Sequence, residues 1–153
     1  MDSTEPEWLP PLIERISFLV HRVNAHLLRV TNPLLKKWSI DLTESRLLVA
    51  LLEGGPMSAG DLVAIMALPQ STVSHQTKRL EKLGYVKRSS GIRDSRVVVA
   101  SLTDKGREVA MEANELSRTV SEQIRQAIGP VELELVRSSL QRVDDVLDPR
   151  RAP

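Results

Sequence analysis

The chain has 153 residues, 41% of them hydrophobic and 3% aromatic, with a formal net charge of +1. That length suits a single domain, residues 1–153, and a core built from Leu, Val, Ile and Ala predicts a mainly α-helical fold. The absence of cysteine excludes disulfides, thiolate metal sites and thiol redox chemistry, and three histidines do not make a metal site, so neither metal nor cofactor is expected. The start, MDSTEPEWLP, is acidic and lacks the basic and apolar parts of a signal peptide. No apolar run approaches the ~20 residues that span a bilayer. These features predict a soluble, cytoplasmic protein.

In chain order, Leu9, Leu12, Ile13, Ile16, Val20, Val23 and Leu27 recur at spacings of three and four. They predict an amphipathic helix from Glu7 to Val30, ended or kinked by Thr31-Asn32-Pro33. Leu34 to Ile40 shows no clear pattern. Thr43 is the expected N-cap of a second helix with Glu44 in its first turn, an apolar body at Leu47, Leu48, Ala50, Leu51 and Leu52, and a stop at Gly54-Gly55-Pro56. The pair Ser58 and Asp61 predicts a capped short helix, Ala59 to Met66, burying Leu62, Ile65 and Met66. Leu68-Pro69 breaks the chain. A helix from Gln70 to Leu83 follows, with Val73, Thr77 and Leu80 inward and Gly84 closing it.

Strands are expected at Tyr85–Arg88 and Arg96–Leu102, around a flexible turn at Ser89-Ser90-Gly91. Thr103 caps a long helix whose buried stripe is Val109, Ala113, Leu116, Val120 and Ile124. Gly129-Pro130 separates it from a last helix, Val131 to Leu147, striped by Leu133, Val136, Leu140, Val143 and Leu147. The C-terminal DPRRAP is expected to fray. Apolar stripes near both chain ends suggest that these helices pack together and join two copies. The expected organisation is a winged helix-turn-helix module over 41–103, flanked by dimerisation helices over 7–33 and 104–148.

The net charge hides an asymmetry. Between Gln70 and Val97 there are seven basic residues (Lys78, Arg79, Lys82, Lys87, Arg88, Arg93, Arg96) against two acidic ones (Glu81, Asp94). The local excess of five positive charges favours a polyanion partner, namely double-stranded DNA. Gln70 opens the helix there. Ser71, Thr72, Ser74, His75 and Gln76 supply short hydrogen-bonding groups for base edges or phosphate oxygens, and Lys78, Arg79 and Lys82 supply cations for the backbone. The uncompensated N–H groups at the helix start can also meet a phosphate. In the loop between the strands, Asp94 can brace Arg96 so that it enters a minor groove with little loss of entropy, with Arg93 as a second candidate.

QSTVSHQTKRLEKLGYVKR running into RDSRVVVASLTDKG resembles the multiple-antibiotic-resistance repressor (MarR) family of winged helix-turn-helix regulators. The points of resemblance are Asp94-Ser95-Arg96 in the loop and the S-L-T-x-K-G pattern from Ser101 to Gly106. The resemblance implies a triangular homodimer with the N- and C-terminal helices as its interface. It also implies a helix of each subunit in the major groove of an inverted repeat, Arg96 in the adjacent minor groove, and repression of target genes. Many members release DNA on binding a small aromatic or anionic effector. Two departures stand out. His75 occupies a position where relatives often carry Arg, which can weaken base or phosphate contact or make affinity depend on pH near neutrality. Pro69 stands where a small polar cap is common. STVSH is also similar to the arsenic-repressor (ArsR) family, whose chains are usually shorter and often use Cys or His for metals.

The resemblance places an effector pocket near the first two helices and the start of the helix after the wing, with His21, His26, Trp38 and Arg46 as candidates. The alternative is that Trp38 anchors a loop and the histidines are surface residues. Catalysis is not expected. Ser71 and Ser74 lie on one helix beside His75 without an acid to orient it, and no nucleophile elbow, phosphate loop or dinucleotide fingerprint occurs. A protein-interaction domain without specific DNA binding is the remaining alternative.

Overall fold

The first long helix begins later than its apolar stripe suggests. In the computed structural model, which describes residues 9–91 and 97–148, a 3-10 turn spans Leu12–Glu14 and α1 spans Ile16–Leu35. Arg15 between them is extended, and its Nε donates to the Pro10 carbonyl at 2.9 Å. Pro33 lies inside α1 rather than ending it. The helix continues because tertiary contacts hold its last turn: Leu35 is fully buried, Thr31 is buried, and the Asn32 side-chain oxygen accepts from the Leu42 N–H at 2.8 Å. A 3-10 turn at Lys36–Trp38 follows, ending on Ser39 in the left-handed region.

Helix α2 spans Leu42–Gly54. Its N-cap is Asp41, not Thr43: the Glu44 N–H donates to Asp41 Oδ1 at 2.8 Å and the Asp41 N–H donates to Glu44 Oε2 at 3.0 Å. Both Asp41 and Thr43 are good cap residues in isolation, and the reciprocal bond from Glu44 three positions on selects Asp41. Leu47, Leu48 and Leu51 put one face of α2 into the core. The strand β1, Met57–Ser58, was not expected; two residues carry no period of their own, and it exists by pairing with a distant strand.

Helices α3 (Ala59–Met66) and α4 (Gln70–Lys82) form the helix-turn-helix. Ser58 and Asp61 cap α3 reciprocally, as their spacing predicts, and Leu62 is buried. Ile65 instead faces outward, because a two-turn helix buries only a narrow stripe. Val73, Thr77 and Leu80 form the buried face of α4. After it, the Tyr85 N–H donates to the Leu80 carbonyl and the Gly84 N–H to the Glu81 carbonyl, both at 3.0 Å. This closing pair requires the positive φ of 79° at Gly84, which glycine adopts without penalty.

Strands β2 (Val86–Ser90) and β3 (Val98–Leu102) pair antiparallel, with Val86 opposite Leu102 and Ser90 opposite Val98. Ser89 and Ser90 therefore belong to the strand, not to the turn. The ladder to β3 supplies their backbone partners, which a local reading of two serines cannot see. The three-stranded order is β1-β3-β2.

Helix α5 spans Asp104–Ile128 and α6 spans Pro130–Leu147, with Gly129 at a φ of 82° between them. Thr103 caps α5, accepting from the Gly106 N–H at 2.9 Å. The chain divides into two units, Met1–Ala113 and Asn114–Pro153. The first holds the core: Leu35, Leu47, Leu48, Leu62, Val73, Leu80 and Val86. In the second, Glu115–Arg118, Glu122–Arg125 and Glu134–Arg137 pair along the polar helix faces. Arg125 and then Gln126 draw the Glu122 carboxyl down to about 2.

The expected apolar stripes of α5 and α6 are buried only in part. Val109 and Ala113 are buried and Leu116 and Val120 half-buried, while Ile124 is exposed. On α6 Leu133 is half-buried, whereas Val136, Leu140, Val143 and Leu147 are exposed. No described helix is long and apolar enough to cross a membrane.

Candidate nucleic-acid interface

Helix α4 carries the polar side chains singled out in the sequence, and its buried face dictates where they point. With Val73, Thr77 and Leu80 inward, Gln70, Ser71, His75, Lys78 and Lys82 are exposed, and Thr72 and Ser74 are half-buried. Pro69, the N-cap residue, makes no side-chain cap bond, so the N–H groups of the first turn remain available to an external acceptor.

Two of the expected contact residues, Arg79 and Gln76, are partly turned into the fold. Arg79 is not a free cation for phosphate. One terminal nitrogen bonds the Glu44 carboxylate and the other donates to the Ser39 carbonyl at 2.6 Å. Glu44 is 3% exposed, and burying a carboxylate demands a charged partner. Gln76 is half-buried, and its side-chain oxygen is sequestered from solvent without a hydrogen-bond partner among the described residues. Neither inward turn has a sequence signal beyond position: both residues lie toward the edge of the α4 stripe.

Arg88 on β2 is also paired, its Nε donating to Glu81 at 2.7 Å and tying the wing to α4. Lys78, Lys82 and Lys87 are exposed and form no ion pair with another described residue. The local positive excess thus divides into internal ties, at Arg79 and Arg88, and outward cations. Arg93, Asp94 and Arg96 lie outside the described residues. At the wing base the Gly91 N–H donates to the Val97 carbonyl at 2.7 Å.

The residues expected at an effector site lie on α1, the turn after it and α2. His21 stacks on Phe18 with ring centres 6.1 Å apart, and His21, His26 and Arg46 are exposed. The Trp38 main-chain carbonyl accepts from the Tyr85 hydroxyl at 2.9 Å, and Lys37 Nζ lies 4.0 Å above its ring centre. The first unit contains an open pocket of about 740 Å³, lined mainly by polar residues, where the end of α1, the following turn, the start of α2 and the inner edge of α4 meet. None of the four candidates lines it.

Comparisons with known proteins agree with this architecture. The pattern that describes the "Bacterial regulatory protein, arsR family" matches residues 41–88, the helix-turn-helix and the first wing strand. The HTH-type transcriptional regulator MgrA of Staphylococcus aureus is 28% identical over 111 residues, which cover 72% of this chain and 76% of MgrA. Among solved structures, Bordetella bronchiseptica BpsR, described as regulated in DNA binding by 6-hydroxynicotinic acid, superposes with a TM-score of 0.80 at 21% identity. The match covers 90% of this chain and 98% of that one. A cysteine-to-serine mutant of E. coli MarR, complexed with operator DNA, superposes with a TM-score of 0.75 at 19% identity, covering 88% of this chain and 99% of that one. The last two are likenesses of fold, and they extend over the long closing helices that the arsR match leaves out. The chain is thus similar to HTH-type transcriptional regulators and shares the winged helix-turn-helix fold of MarR and BpsR.

Proposed function

We propose that the protein is a cytoplasmic, homodimeric repressor that reads an inverted-repeat DNA operator through two copies of α4 and releases it on binding a small effector. The single observation that carries the reading is the exposed face of α4. There Gln70, Ser71, His75, Lys78 and Lys82 point outward from a buried hydrophobic seat, beside an uncapped helix start. Thr72 and Ser74 supplement them. Short polar groups address base edges, and the lysines and free N–H groups meet phosphates. Arg79 is assigned to holding α4, and Arg96, with Asp94 and Arg93, to the minor groove. The winged module over 41–103 is the reader; 7–33 and 104–148 join the copies. The operator complex of MarR and the ligand regulation of BpsR support the parallel roles here.

Titration of DNA from beside the protein's own gene, at several salt concentrations, tests the reading. Tight, sequence-preferring and salt-sensitive binding is expected. Affinity no greater than for random DNA would sink it. Arg96→Ala should lower operator affinity about tenfold, the scale of one good groove contact, without changing the oligomeric state. An unchanged affinity removes Arg96 from the interface.

The dimer reading rests on apolar surface. Ile16, Val20 and Val23 on α1, and Val131, Leu135, Leu140 and Val146 on α6, are all exposed. Exposed apolar surface of that kind, on each helix by itself, suits an interaction surface. Leu140→Asp should yield monomers by sedimentation, because an unpaired carboxylate at a covered position is costly. A wild-type dimer in that variant excludes this face.

A further inference from the structure

We propose that the pocket beside α4 is a binding site for a small zwitterion, with a free amino acid as the chemical class. Its volume of about 740 Å³ is ample for such a molecule. Its charges balance: Lys36 and Arg79 are cationic, Asp41 and Glu44 anionic. A simple anion or cation therefore gains from one sign and loses to the other, whereas a molecule with both charges gains from each.

The hydrogen-bond inventory separates the two signs further. Arg79 and Glu44 are committed to each other. Lys36 forms no ion pair with a described residue, and Asn32 spends its oxygen on the Leu42 N–H, which leaves its amide N–H groups as donors. Lys36 and Asn32 are four residues apart, on one side of the end of α1, and together suit a carboxylate. On the acceptor side, Asp41 uses Oδ1 for the α2 cap and retains its second oxygen. Gln76 contributes the unpartnered buried oxygen, whose isolation is costly. An ammonium has three donors, and with a turn of the Gln76 amide it satisfies both. Ile40 is the aliphatic residue at the site, so the side chain accommodated is small or polar.

The regulatory consequence rests on the assignment of α4 as the DNA reader. His75 both lines the pocket and is exposed on α4, and Gln76 and Arg79 are the residues through which α4 meets the pocket. Occupancy therefore changes the seat of the helix and engages His75, lowering operator affinity.

The test uses the full-length protein labelled with nitrogen-15, without DNA, and the proteinogenic L-amino acids added one at a time. The expected result is that at least one shifts the side-chain amide resonances of Gln76 and Asn32 saturably. Its N-acetyl derivative, which lacks the ammonium, and its primary amide, which lacks the carboxylate, should each bind at least about tenfold more weakly, a loss of about 1.4 kcal/mol. Gln76→Leu and Lys36→Ala should weaken binding similarly while circular dichroism stays unchanged. If no amino acid shifts those resonances, or the N-acetyl derivative or acetate alone binds as tightly, the proposal is overturned. Because the readout needs no DNA, failure of operator binding would count against the regulator reading and not against the pocket.

Discussion

Arg79→Ala is expected to destabilise the protein by about 3 kcal/mol in urea unfolding, the lower end of what breaking a buried ion pair costs. The lower end applies because the Arg79 side chain is 42% exposed and the Glu44 side chain only 4%. Removing the arginine strands a carboxylate that water cannot reach. Glu44→Gln should cost far less, about 1 kcal/mol, because glutamine can still close the cap with Asp41. The order of the variants is the sharper test. Glu44→Gln added to Arg79→Ala should recover stability, since it removes the stranded charge. If the double variant is no more stable than Arg79→Ala, the pair is not what holds α4. Operator affinity should fall with the same substitution, because Arg79 ties α4 to the start of α2 and to the Ser39 carbonyl.

Gly106→Ala should destabilise by about 3 kcal/mol, the upper range for forcing a group into a filled site. Helix propensity alone predicts the opposite sign, a gain of about 1 kcal/mol for alanine within a helix. A Cβ at Gly106 would sit 1.8 Å from the Tyr85 carbonyl oxygen and 2.7 Å from its carbon, both backbone atoms. That carbonyl cannot yield cheaply, because it accepts from the Thr103 N–H at 3.0 Å. Thr103 in turn donates its hydroxyl to the Gly84 carbonyl at 2.6 Å. The first turn of α5 is thus locked to the chain entering β2. A melting temperature at or above wild type for Gly106→Ala would show that the junction relaxes.

Gly106 also shows how far a pattern can be read. The S-L-T-x-K-G run marked the junction after the wing, and Thr103 was legible as a cap because a cap is a bond between neighbours. The reason for glycine was not legible, since the atom it avoids belongs to Tyr85, 21 positions earlier. The same division runs through the rest of the site. The inward face of α4 followed from the spacing of Val73, Thr77 and Leu80. Arg79 and Gln76 were read as outward because they lie between that face and the solvent side, and only the buried Glu44, on another helix, decides for Arg79.

Determined by the sequence itself were the helical content, the capped start of α3, the register of α4, the wing strands and the concentration of basic residues around them. All depend on short-range periodicity, caps or composition. The tertiary structure alone decided the continuation of α1 through Pro33, the strand β1, the strand character of Ser89 and Ser90, and the division of the basic residues. Each depends on a partner distant in the chain: Leu42 for Asn32, Ala100 for Met57, Val99 for Ser89. For the basic residues the decisive partners are carboxylates. Glu44 and Glu81 hold Arg79 and Arg88 within the fold and leave Lys78, Lys82 and Lys87 facing outward. A count of charges along a chain cannot separate these two groups: Arg79 is decided by the desolvation of the Glu44 carboxylate, and Arg88 by the approach of Glu81 on a neighbouring element, and both exist only once the chain has folded.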